Sequence, residues 1–210
     1  MRTDDLIHEL SRQAGTKKKP AVTFNQTLAL GISLSAAAAM LVVLGLSRVR
    51  PDLYAMLTTW AFQFKVLTMA LLTCGGVFLV RAAGIPGASV RPALALFPGI
   101  ALLLVGVIFD NTDFPLLGEK RAAVPLCVGV IVAASLPGLI SIMAALRKGI
   151  PTKPAAAGAI AGLLSGAIAS LVYTIACIND GPSFVALWYL VAIFTMTVIG
   201  AVVGRYVLAW

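Results

Sequence analysis

The chain has 210 residues, of which 60% are apolar and 11% charged, with a mean hydropathy of +0.99. A soluble domain carries about 25% charged residues, so there is too little charge here to cover a water-facing surface, and a soluble globular fold is excluded. The formal net charge is +8; its placement along the chain reads as a topology signal, and no direct nucleic-acid contact is expected.

Residues 1–26 form a charged leader ahead of the first apolar run. Thr3 is a good N-cap, and Asp4 and Asp5 suit the positive end of a helix dipole. Leu6, Ile7, Leu10 and Ala14 then share one helical face, with Glu9, Arg12 and Gln13 elsewhere. This pattern predicts a helix over about 3–14, stopped at Gly15 and followed by a basic linker, Lys17–Lys19. A helix of about three turns is not stable alone in water. Its apolar stripe needs a partner, either a groove on another protein or the membrane surface. Acidic residues in the first turn fit a protein better than a lipid surface.

Six apolar runs follow: Thr27–Leu46, Leu57–Val80, Pro92–Phe109, Val124–Leu146, Ala155–Ile178 and Ser183–Val203. Runs of roughly 18 residues or more cross a hydrocarbon core about 30 Å thick. The first is too long for the apolar part of a signal peptide, about 7–15 residues, and is read as a retained span. The expected fold is all-α: a polytopic membrane helix bundle with about six transmembrane helices over residues 27–210, embedded in a lipid bilayer. Eleven Lys and Arg residues lie on the leader's side of the short loops and four (Arg48, Arg50, Lys120, Arg121) on the other. The positive-inside rule then puts both termini in the cytoplasm.

The spans hold few residues that carry chemistry. Lys65 lies about two turns into the second span, and its long stem is expected to snorkel outward to the headgroups, the alternative being a functional buried charge. Cys74, deeper in that span, is expected to be a packing residue. Pro137 removes one backbone hydrogen bond from the fourth span. Gly158, Gly162 and Gly166 recur every four residues in the fifth span, as do Gly200 and Gly204 in the sixth. Such a groove serves close packing within the chain or, alternatively, a homodimer face. Cys127, near the start of the fourth span, and Cys177, near the end of the fifth, fall at similar depths close to the outer interface. They are either small packing residues or a redox-active or soft-metal-binding pair.

No Asp, Glu or His falls near mid-membrane, where proton-coupled transporters and intramembrane hydrolases place them. The single histidine, His8, leaves too few members for a metal site or a nucleophile pair, and no nucleotide-binding motif appears. An enzyme is therefore not expected, nor is a cofactor. A small transporter or channel component is one alternative, and it would need a polar path that the spans supply only sparsely.

Beyond these patterns, the chain resembles the NrsF-type anti-sigma factors. The resemblance rests on the opening MRTDDLI, on Arg50-Pro51-Asp52-Leu53 after the first span, and on Cys127 and Cys177. It extends through Leu187-Trp188-Tyr189, Gly200, Gly204 and Arg205 to the terminal Trp210. The chain departs from the family pattern at Val124-Pro125-Leu126, where a Trp-Gly pair is expected, and at Ile178-Asn179-Asp180, where a more acidic or Pro-containing stretch is common. The resemblance implies a bacterial inner-membrane regulator whose partner is a sigma factor of the extracytoplasmic-function class. It implies docking through Leu6, Ile7 and Leu10, with Asp4, Asp5 and Glu9 facing basic residues. It also implies that Cys127 and Cys177 sense stress, by oxidation or by metal binding.

Overall fold

A computed structural model describes residues 3–5, 7, 8, 11, 23–85, 91–110, 114–118, 123–149 and 151–209. Among the described residues the ordered elements are all helical. Five helices are long and apolar enough to cross a bilayer: α1 (Phe24–Leu46), α2 (Trp60–Ala83), α4 (Ala123–Leu146), α5 (Pro154–Tyr173) and α6 (Pro182–Val207). Between α2 and α4 lies a composite element, a 3-10 stretch Arg91–Leu96 leading into α3 (Phe97–Ile108). Its α portion alone is short. At about 2.0 Å per residue for the 3-10 part and about 1.5 Å for the rest, the two together rise about 30 Å, the thickness of a hydrocarbon core. The chain is a membrane protein built as a bundle of about six helices.

Local sequence explains where the elements begin. Thr23 caps α1: its hydroxyl accepts from the Gln26 N–H while the Gln26 side chain accepts from the Thr23 N–H. This reciprocal capping box starts α1 before the apolar run itself begins. Pro154 and Pro182 open α5 and α6, positions where a missing N–H costs no helical hydrogen bond. Pro137 lies inside α4, so the turn before it lacks one ladder bond.

The bundle is organised around α5, whose span is 61% buried against 28% for α1. Its glycines pack within the chain. A Cβ on Gly158 would collide with the Gly200 carbonyl and lie 2.7 Å from the Gly204 Cα, and one on Gly162 would strike the Met196 carbonyl. The backbones of α5 and α6 thus approach along a seam of small residues that excludes side chains altogether. The groove is thus filled by α6 of the same chain. On the other flank, α1 meets α4 where the Ser141 hydroxyl donates to the Gly31 carbonyl at 2.9 Å.

Consecutive helices alternate in direction, so the bundle has two distinct ends. At the end carrying the termini, the Phe24 ring packs against Gly84 after α2 and Gly149 after α4. There Arg147 also donates to the Val207 carbonyl near the end of α6 at 2.8 Å. The opposite end, reached by the loops after α1, α3 and α5, carries most of the buried ionic groups.

Candidate functional site

The fifth apolar run does not stay helical to its end. α5 stops at Tyr173, and residues 174–176 turn before an irregular stretch reaches Gly181. Cys177 therefore sits in a connection and not in a span, which corrects the expected boundary at Ile178. The Thr174 hydroxyl donates to the Leu171 carbonyl, and Asn179-Asp180-Gly181-Pro182 is a sequence of helix breakers. Beyond this turn the carbonyls of Cys177 and Asn179 are taken up by two cations.

Lys65 is the first. It enters from α2 with no exposed surface, and its Nζ donates to the carbonyls of Cys177 (3.0 Å) and Asn179 (3.2 Å) and to the Asp180 carboxylate (3.0 Å). All three ammonium hydrogens are thereby used. The Tyr189 ring lies 5.6 Å from it, presented by a π-helical turn, Val185–Tyr189, in the opening of α6. The expected snorkelling is overturned: with three protein acceptors replacing its hydration, the lysine turns inward.

Arg50 is the second cation. Its Nε and Nη2 grip Asp52 at 2.8 and 2.9 Å, and its Nη1 reaches Asp180 at 2.6 Å and the Cys177 carbonyl at 3.2 Å. Its backbone N–H also donates to the Ile175 carbonyl. The hydrogen bonds to Asp52 push the guanidinium above its ordinary range, burial opposes this, and Asp180 adds to the rise. Arg50 in turn holds the Asp52 carboxyl below the usual aspartate range. Two cations and two carboxylates leave the cluster electrically balanced, the condition under which burial of charge is tolerable.

Against this cluster stands the thiol pair. Cys127, on the first turns of α4, and Cys177 are 1% and 3% exposed, and their sulfurs are 3.4 Å apart. The fold brings together the two cysteines that sequence depth only placed at one level. Both are free thiols. A disulfide needs about 2.05 Å between sulfurs, so a two-electron oxidant would find the pair only a small approach short of bonding distance. The sulfurs are soft donors for a metal such as Cu(I) or Zn. Among the described residues, however, no group of three His, Cys, Asp or Glu is placed to hold one. The Asn179 side-chain oxygen is buried without a hydrogen-bond partner among the described residues, and the Tyr189 hydroxyl lies against Cys177. A cleft of about 410 Å³ opens over Arg50, Asp52 and Asp180, walled by Met56, Phe114 and Ile178.

The profile of the family described as "NrsF: Negative regulator of sigma F" matches residues 10–210. The chain belongs to the NrsF family. It is similar to a protein of Caulobacter vibrioides named "Anti-sigma-F factor NrsF", 33% identical over 219 residues, with 100% of each chain covered. It is also similar to one of Azospira oryzae named "Probable anti-sigma-F factor NrsF", 31% identical over 218 residues, again with 100% of each chain covered. No solved structure matches the chain.

In this member of the NrsF family the leader is described in part. Thr3–Asp5, Ile7, His8 and Ser11 are helical, and Asp4, Asp5 and Ile7 are exposed. Leu6, Glu9, Leu10 and the linker over 12–22 lie outside the described residues. Cys74 is exposed on the outer face of α2, which corrects the expectation of a packing role. Sequence reasoning did not single out Arg50, Asp52, Lys65 and Asp180 as a group. The signal was present: a lysine inside a span needs a counter-ion, and Asp180 lies in a loop at that end of the bundle.

Proposed function

We propose that the chain is a membrane-bound anti-sigma factor of the bacterial inner membrane. Its N-terminal cytoplasmic helix captures a sigma factor of the extracytoplasmic-function class and withholds it from core RNA polymerase. The observation that carries this reading is end-to-end similarity to proteins named as anti-sigma-F factors. The excess of Lys and Arg on the leader's side supports a cytoplasmic leader, and the exposed Asp4, Asp5 and Ile7 support its availability for docking. Leu6, Ile7 and Leu10 would fill an apolar groove on the sigma factor while Asp4, Asp5 and Glu9 face basic residues. No catalytic step is needed for this role.

Release requires a second state of the bundle with lower affinity for the sigma factor, since a stimulus that favours neither state sends no signal. The thiol pair is the element proposed to choose between them. A bond or a bound ion at Cys127 and Cys177 would change how the connection after α5 sits on α4, on the periplasmic side in this topology.

Co-purification tests the docking element. The sigma factor encoded beside this chain should be recovered with the full-length protein and lost when residues 1–15 are deleted. Equal recovery with both would remove the leader from the mechanism.

A further inference from the structure

The geometry of the thiol pair is set in large part from outside it. Cys127 belongs to a helix of 24 residues, whereas Cys177 lies beyond the end of α5, its N–H bonded back to the Tyr173 carbonyl but its own carbonyl held by the two cations. The connection around it is held by Arg50 and Lys65. The Lys65 side chain grips three points along the bend, the carbonyls of Cys177 and Asn179 and the carboxylate of Asp180. The Arg50 side chain grips two, the Cys177 carbonyl and Asp180, and its backbone N–H a third, the Ile175 carbonyl. Lys65 does so with no exposed surface and with its ammonium 5.6 Å from the centre of the Tyr189 ring, so the grip has little freedom to slacken.

We infer that Lys65 is the positioning residue of the thiol pair, holding the bend so that the Cys177 sulfur faces that of Cys127. This rests on the reading of the pair as the sensing element and adds a residue to it. The cations of the cluster do not touch the reacting sulfurs in this role; they determine how often the sulfurs meet. Losing the ammonium removes three hydrogen bonds at once, leaving the Cys177 carbonyl and Asp180 to Arg50 alone and the Asn179 carbonyl without its cation, and lowers the effective concentration of one thiol at the other.

The test uses full-length protein carrying Cys74→Ser, reconstituted in bilayers of phosphatidylethanolamine and phosphatidylglycerol without any sigma factor. The oxidant is the diazene diamide. One thiol adds across its N=N bond, forming an S–N bond with the proton going to the other nitrogen. The second thiolate attacks that sulfur, the S–S bond forms, the S–N bond breaks, and the hydrazine leaves with both electrons and both protons. Alkylation and mass measurement count the remaining thiols.

In Lys65→Met the rate is expected to fall at least tenfold. The midpoint of the pair in a dithiol buffer should become less negative, a tenfold weaker disulfide corresponding to about 30 mV. Lys65→Arg, which keeps a cationic donor, should return the rate to within threefold of the parent. A folded Lys65→Met protein with the parent's rate and midpoint overturns the proposal. Should Lys65→Met not fold, Lys65→Gln decides: a rate at least threefold below the parent supports the assignment, and the parent rate overturns it. Since sigma factor is absent, these outcomes do not depend on whether the pair signals. Failure of the sensing reading would show in cells, where cysteine substitution would leave induction unchanged.

Discussion

Arg50 and Asp180 are separated by 130 residues along the chain, yet guanidinium and carboxylate approach to 2.6 Å. The same carboxylate receives the Lys65 ammonium at 3.0 Å, so one acidic residue partners two buried cations. Asp180→Asn is therefore expected to destabilise more than an ordinary loop substitution. Removing one partner of a buried pair costs about 3–5 kcal/mol, and the 13% exposure of Asp180 puts the loss toward the lower end. Thermal unfolding in detergent measures it. The double variant Lys65→Met with Asp180→Asn should lose less than the sum of the two, because no unpaired ammonium is left behind.

The seam between α5 and α6 predicts a sharp contrast among glycines. At Gly158 an added Cβ has no room, since it meets the backbone of α6. Gly158→Leu should abolish recovery of monodisperse protein in gel filtration. Gly45 and Gly129, also within helices, would meet nothing within 4 Å. Gly45→Ala and Gly129→Ala should be neutral or raise stability by up to about 0.5–1 kcal/mol, because alanine surrenders less backbone freedom than glycine on entering a helix.

Acid should weaken the Arg50–Asp52 grip in a defined direction. Asp52 is held below its ordinary value of 3.8 by hydrogen bonding to Arg50. A depressed carboxyl contributes its stabilisation in full above the unfolded value and loses it as pH falls through the folded one. The difference in melting temperature between the parent and Asp52→Asn should thus be constant from neutral pH to about 5 and shrink below 4. A difference that instead grew on acidification would contradict the assignment.

In cells, Cys127→Ser, Cys177→Ser and the double variant should blunt stress-induced transcription from the sigma-dependent promoter to the same degree, because either sulfur is useless without the other. Reporter assays read this directly. An unchanged response in the double variant would reduce both cysteines to packing.

The helices and their glycine seam were legible because they depend on local signals: apolar run length, proline, and small residues every four positions. The composite third element was less so. Its run was read as one span, whereas the stretch from Arg91 opens as a 3-10 helix that lengthens a short α segment. The end of α5 was misread because hydropathy does not register carbonyls diverted to distant cations. Lys65 shows the same limit. A lysine one or two turns from an interface ordinarily reaches for water, and only the convergence of three acceptors from the α5–α6 connection turns it inward. The thiols could be matched in depth from the sequence, but their rotation about the helix axes, which decides contact, is a property of packing.

The Phe24 ring, lodged between Gly84 and Gly149, stands at the root of the leader, far from the thiols. The two helices that end beside it, α2 and α4, are the ones that carry Lys65 and Cys127 at their opposite ends. Phe24 thus ties the first turn of α1 to the ends of the two helices that carry Lys65 and Cys127.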